Sequence, residues 1–152
     1  MLAKELMTTD VATCRTHDDL ATAARIMRDH HCGFVPVIDE RGGGAGVATD
    51  RDVCVALAGA HQRAAEAMSI EGAMSRPVIS CLVDENVKAV LATMAKHHVR
   101  RLTVLDRDGH LKGVLSIDDI VQAPYIRGGP IAEEIIAALK GIGERPRIDA
   151  AV

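Results

Sequence analysis

Histidine apart, Phe34 and Tyr125 are the only aromatic residues in this 152-residue chain, and tryptophan is absent. A core without aromatic bulk has to be assembled from Val, Ile, Leu, Ala and Met, which the 48% hydrophobic content supplies. The same scarcity removes the ring platforms on which single-stranded nucleic acid stacks. Basic residues are not in excess either. The 18 Lys and Arg against 21 Asp and Glu leave a net charge of −3, with no clustered footprint for a phosphate backbone. Nucleic acid is not an expected partner.

Long apolar runs are also missing. No stretch approaches the roughly 20 residues that cross a bilayer, and the first ten residues lack the apolar centre of a secretory signal. No membrane partner is expected, and the expected location is cytoplasmic. Cys14, Cys32, Cys54 and Cys81 show no CxxC spacing, so a zinc finger has no ligand pattern to start from. In a reducing compartment such thiols are expected to be small buried hydrophobes. There is no nucleophile elbow, no HExxH pair and no phosphate-binding loop. Enzymatic activity, a bound metal and a resident cofactor are therefore not expected.

What the chain does contain is a duplication. Residues 7–53 lie over residues 74–120 without a gap, at a constant offset of 67. Cys14/Cys81, Met27/Met94, His30/His97, His31/His98, Val37/Val104, Asp39/Asp106, Gly46/Gly113 and Asp52/Asp119 are identical pairs. A fixed-period repeat of one supersecondary unit decides the architecture, and the length suits one compact domain made of two halves.

Each copy reads in the same order. A short helical lead-in (residues 3–7) precedes a brief strand at residues 11–14, then a helix from about Asp18 to His31. Leu20, Ala23, Ala24 and Met27 follow the spacing of an amphipathic face, and Val87, Val90, Leu91 and Met94 repeat it. Two strands follow, 34–38 and 46–49 in one copy and 102–105 and 113–116 in the other, split by Asp- and Gly-containing turns. A closing helix starts near Asp50 and near Ile117. The expected boundaries are 2–60 and 72–126 for the repeats, with a linker at 61–71. Beyond them, Gly128, Gly129 and Pro130 break the chain before an amphipathic helix at 130–143, with Ile131, Ile135, Leu139 and Ile142 on one stripe. A tail covers residues 144–152. The helix is expected to cover the module or a dimer seam.

The most informative local motif is GVATDRD at 46–52, echoed as GVLSIDD at 113–119. In both, a strand delivers a hydroxyl residue to a helix start, with an Asp three residues on. One reading is a capping box, in which hydroxyl and acid satisfy unpaired helix N–H groups. The other is a nucleotide grip: the helix start attracts phosphate, and the carboxylate accepts from vicinal ribose hydroxyls. Arg51 and Asp118, inside these motifs, are further candidates.

Taken in order, and twice over, these motifs resemble a tandem pair of CBS domains. The marks are Leu6-Met7-Thr8, the helix end at residues 27–31, Val35-Pro36-Val37-Ile38-Asp39 and the Thr49 motif, with Ala73–Pro77, residues 97–102 and the Ser116 motif in the second copy. The resemblance covers about residues 2–123. It implies an α+β fold of two β-α-β-β-α repeats packed about a pseudo-two-fold axis, with two clefts that commonly bind adenosine nucleotides. It implies one cleft with Asp119 at the ribose and Ser116 and Arg101 at the phosphate, flanked by Ala12, Gly33, Phe34 and Val35. The mirror cleft would use Asp52, Thr49 and Arg51, faced by Ile79 and Arg100. Because Arg101 is matched by Phe34, the Ser116 cleft is expected to hold phosphate better.

The leading expectation is a homodimeric sensor of adenosine nucleotides acting on an unidentified effector protein. One alternative is a ligand-independent interaction module whose motifs only cap helices. The other is a metal- or redox-responsive protein using its cysteines and histidines.

Overall fold

The computed structural model describes residues 1–60, 64–123 and 132–144. Each copy builds its own three-stranded sheet: β1 (Cys14–Arg15), β2 (Phe34–Ile38) and β3 (Gly44–Thr49), then β4 (Ser80–Leu82), β5 (Arg101–Leu105) and β6 (Leu111–Ser116). In both sheets the first pair is parallel and the second antiparallel, with a register shift at Val37/Ile38 matched at Val104/Leu105. Helices α1 (Leu20–Asp29) and α2 (Asp50–Ala58) belong to the first copy, α3 (Val87–His97) and α4 (Ile117–Gln122) to the second, and α5 (Ala132–Gly143) follows. The fold is the expected α+β duplication.

The elements form for local reasons. Asp19 caps α1 by accepting from the Thr22 N–H at 2.7 Å, and Asn86 caps α3 by accepting from Lys88 at 2.9 Å. Both helices end on a left-handed residue, His31 at φ 50° and His98 at φ 54°, a position more often given to Gly or Asn. The hairpin turns are copies too. Asp39 accepts from the Arg41 and Gly43 N–H groups, and Asp106 from those of Asp108 and His110. These backbone bonds hold both carboxyls below the usual range. Gly42 and Gly109 supply φ near +82° and +85°. The two turns meet, with the Gly44 N–H on the Gly109 carbonyl and the Leu111 N–H on that of Gly42.

Strand alternation gives each sheet one face that packs into its own repeat's core. Val35 and Val37 join Leu20, Ala23, Met27 and Ala48 in the first, while Leu102 and Val104 join Val90, Leu91, Met94 and Leu115 in the second. Complete burial of a leucine such as Leu20, Leu102 or Leu115 is worth roughly 2 kcal/mol. The expected stripe on α1 is altered: Ala24 is exposed, and Ala21 is buried in its place.

The lead-ins are exchanged. The turn Ala3–Glu5 of the first copy lies on the second, with Ala3 N–H on Glu85 O and Lys4 N–H on Val83 O. Its counterpart Ile70–Gly72 lies on the first copy, with Ile70 N–H on Asp18 O. Thr8 pairs both ways with Val114, and Ser75 with Val47. Ala3 is accordingly part of the second core, and Ile70 and Met74 of the first. The second unit thus starts inside the segment expected to be linker.

Helix α5 packs on α3, burying Ala138 and Ile142 with Ile135 beside them. Leu139, expected on that stripe, is 37% exposed, because the α3 face takes the small Ala138 one position earlier. Gly141 fits against Ala95, His98 Nδ1 lies 2.8 Å from the Gly141 carbonyl, and Lys88 pairs with Glu134 at 2.8 Å. Ile131, the Gly128–Pro130 break and the tail from 145 onward lie outside the described residues.

Candidate functional site

Because each lead-in sits on one half and the following strand on the other, residues 9–13 and 76–79 must cross between the repeats. Each crossing runs beside a cavity of about 360 Å³. One cavity contains Ser116 and Asp119, the other Thr49 and Asp50. Most of their walls come from equivalent positions: Thr8 with Ser75, Asp10 with Pro77, Val11 with Val78, Ala12 with Ile79, Cys32 with Val99 and Val114 with Val47. Phe34 and Arg101, themselves equivalents, line both.

Ala12, Phe34, Arg101, Ser116 and Asp119 come together as expected, and so do Thr49, Ile79 and Arg100. Gly33 lines the Thr49 cavity instead of the Ser116 one, because its carbonyl accepts the Asp50 N–H at the start of α2. Val35 points into the first core, on the opposite face of β2 from Phe34. Arg51 and Asp118, second in their helices, are exposed and line neither cavity. Asp52 stands behind Thr49, bonded to two lining residues. Asp10, Pro77 and Val78 were not anticipated. The only sequence signal for them was that they precede the first strand in each copy at the common offset.

Both capping boxes form. Asp119 Oδ2 accepts from the Ser116 N–H and hydroxyl, each at 2.7 Å, while Ser116 Oγ accepts from the Asp119 N–H at 3.1 Å. Asp52 Oδ2 does the same for Thr49 at 2.9 and 2.7 Å. The hydroxyl protons thus face the acids and not the open cavity. The helix amides are largely engaged too. At α2, Asp50 N–H meets Gly33 O, Arg51 N–H meets Asp50 Oδ1, and Asp52 N–H meets Thr49 Oγ1. At α4, Ile117 N–H meets Arg100 O. An anion therefore depends on side-chain cations more than on helix ends.

The acids differ in their second oxygens. Asp52 Oδ1 accepts from the Ser75 hydroxyl at 3.4 Å, whereas Asp119 Oδ1 has no hydrogen bond among the described residues. The cations differ as well: Arg100 and Arg101 face the Thr49 cavity, while the Ser116 cavity sets Arg101 against Asp10 and Asp119. By its lining residues the Thr49 cavity sets two arginines against Asp50, and the Ser116 cavity sets one arginine against two acids, with His30 beside them. The remaining wall of the Thr49 cavity is apolar, with Phe34, Pro77, Val78, Ile79 and Val99.

Of the thiols, Cys14 and Cys81 are buried, and burial pushes them up to about 11 and about 12 respectively. Cys54 is exposed and Cys32 is half-buried on the Ser116 cavity wall, so only two fit the expected buried hydrophobe. Asp106, Asp108 and His110 cluster at a hairpin turn, where backbone amides already occupy one Asp106 oxygen. Among the described residues, no helix is long and apolar enough to cross a membrane.

Fold and cavities together define a duplicated α+β unit with two ligand-sized clefts between its copies. The chain belongs to the CBS domain family, whose profile matches residues 3–59 and 67–125. It is 35% identical over 118 residues to the uncharacterized protein YlbB of Bacillus subtilis (strain 168), covering 77% of this chain and 78% of that one. Other relatives are longer. The chain spans 22% of a homoserine O-acetyltransferase of Methanococcoides burtonii, at 30% identity over 116 residues and 76% of this chain. Among solved structures, it resembles the CBS domain pair of protein MJ0100 in complex with 5′-methylthioadenosine and S-adenosyl-L-methionine. That likeness has a TM-score of 0.71 at 28% identity, over 80% of this chain and 94% of that one.

Proposed function

We propose that this chain is a cytoplasmic regulatory module that binds adenosine nucleotides in its inter-repeat clefts and passes their occupancy to an effector protein. The observation that carries the reading is the Ser116 cavity. There a carboxylate fixed by its capping box, that of Asp119, lines a space of about 360 Å³ shared with Arg101, and its Oδ1 has no hydrogen bond among the described residues. That oxygen is an acceptor for the ribose hydroxyls of an adenosine ligand. The adenosine ligands of the MJ0100 pair support the same reading. With Phe34 and the His30 imidazole as the aromatic rings on the walls, adenine would rest mainly on aliphatic side chains.

A ligand regulates only through its different affinity for two arrangements of the protein. Here the arrangements are two packings of the halves, or of two copies in a homodimer. The exposed Val55 and Leu57 on α2 and Val121 on α4 are apolar area for a second copy to cover.

The competing reading is a ligand-independent interaction module, and both capping boxes do form. Calorimetry with AMP, ADP, ATP and S-adenosylmethionine separates the two. S-adenosylmethionine binding that weakens about tenfold or more in Asp119→Ala, the scale of a lost hydrogen bond to a charged group, supports the reading that the clefts bind adenosine ligands. Failure of every nucleotide to bind leaves the interaction module.

A further inference from the structure

The two cavities meet at one residue pair. Arg101 stands opposite Ser116 across β5 and β6, Phe34 stands opposite Thr49 across β2 and β3, and each lines both cavities. The Arg101 side chain is exposed and makes no hydrogen bond or ion pair among the described residues. Nothing among them ties its guanidinium to one side. The fixed charges around it are unequal: Asp10 and Asp119 line the Ser116 cavity, Arg100 and Asp50 the Thr49 cavity.

We infer that the clefts are sorted by ligand charge and coupled through Arg101. The Thr49 cleft takes the phosphate-bearing adenosine ligand, and the Ser116 cleft takes a neutral or cationic one. Filling the first with an anion disfavours a second anion in the other. The inference rests on the reading that the clefts bind adenosine ligands.

The electrostatic reasoning is direct. In the Thr49 cleft a phosphate meets Arg100 and draws Arg101 toward it, giving two cations against Asp50. Guanidinium groups bind phosphate through parallel N–H bonds, and one guanidinium cannot serve two phosphates in separate cavities. Once Arg101 is committed, the Ser116 cleft keeps Asp10 and Asp119 without a facing arginine. Two carboxylates in a partly closed cavity repel a phosphate and attract a sulfonium or ammonium group. Asp52 keeps its charge but stands behind Thr49 without lining that cavity, and with Asp50 it is still matched by Arg100 and Arg101, whereas Asp10 and Asp119 are left unmatched on the other side.

Calorimetry tests this at pH 8 with ADP as the anionic probe and S-adenosylmethionine and 5′-methylthioadenosine as the others. Wild-type protein is expected to take one ADP per chain, with any second ADP at least about tenfold weaker. ADP-saturated protein is expected still to bind one S-adenosylmethionine or methylthioadenosine, undiminished. Arg100→Ala should weaken the first ADP about tenfold and leave S-adenosylmethionine binding unchanged. Arg101→Ala should abolish the gap between first and second ADP in excess of their intrinsic affinities, and Arg101→Lys should restore part of it. Both arginines are exposed, and urea unfolding checks that the variants keep the wild-type stability.

Two equal and independent ADP sites, displacement of S-adenosylmethionine by one equivalent of ADP, or coupling unchanged in Arg101→Ala would each overturn the inference while the nucleotide reading stands. Absence of binding by all three probes removes the nucleotide reading and the inference with it.

Discussion

The two repeats share their strands, turns and capping boxes position by position, yet each helix of the matched pair α1 and α3 is covered by something different. The 3-10 turn Ala65–Ala67 packs on α1, whereas α5 packs on α3. One pair of residues records the consequence. Leu91 is 3% exposed within the second core, and its equivalent Ala24 lies on the surface. The clefts diverge in the same manner, with Asp10, Ala12 and Cys32 on one wall where Pro77, Ile79 and Val99 stand on the other. The duplicated backbone provides the positions. The differences lie in side chains, and in segments outside the repeat, that are free to vary.

The largest expected effect probes the exchanged lead-ins. A methyl group at Gly113 would run into the Thr8 carbonyl, which is backbone fixed by two hydrogen bonds to Val114. At Gly46 the same methyl meets Met74 Sδ at 2.7 Å and the Ser75 carbonyl at 3.0 Å. A thioether can swing away, whereas a paired carbonyl cannot. Gly113→Ala is expected to cost about 3 kcal/mol and Gly46→Ala about 1 kcal/mol, as overpacking costs of these two kinds. Urea unfolding of both variants decides it, and equal losses would show the two crossings to be equally rigid.

Next comes the cover that only the second repeat has. Ile142 is 9% exposed and touches the second core from α5. Ile142→Ala should destabilise by about 2 kcal/mol, the low end for a buried isoleucine because the site sits at the rim of the core. In amide exchange, the loss should appear in α3 and spare α1. Equal deprotection of both helices would mean that the halves unfold only together.

Much of this was legible beforehand, for identifiable reasons. The repeat offset carried the sheets, helices and paired motifs, since period-2 and period-3.6 patterns occurring twice reinforce each other. The exchange of lead-ins was not legible, because residues 3–7 and 70–74 are short and suit either half equally. Nor was the bifacial position of Arg101. Its match to Phe34 was visible, but that both face a shared axis follows from how the sheets pack. Sequence likewise marks Pro36 and Thr103 as equivalents without revealing that the Thr103 hydroxyl is buried with no hydrogen-bond partner among the described residues. The second acid of the Ser116 cavity, Asp10, was not legible either, since it belongs to a crossing segment and to no motif.

The smallest expected effect sharpens the difference between the two acids. In the Thr49 cleft the Ser75 hydroxyl occupies Asp52 Oδ1 at 3.4 Å, and at the equivalent position Thr8 makes no such bond to Asp119 among the described residues. A ribose entering beside Asp52 must displace that hydroxyl, while one entering beside Asp119 displaces at most water. Ser75→Ala is therefore expected to tighten ADP binding in the Thr49 cleft about threefold, since the bond removed is long, exposed and worth under about 1 kcal/mol. Stability should move by less than about 0.5 kcal/mol, as for other exposed side chains. Thr8→Ala should leave the Ser116 cleft's affinity for methylthioadenosine unchanged. If Ser75→Ala instead weakens ADP, the hydroxyl is a ligand contact, and the two acids are equally available despite their different bonds in the free protein.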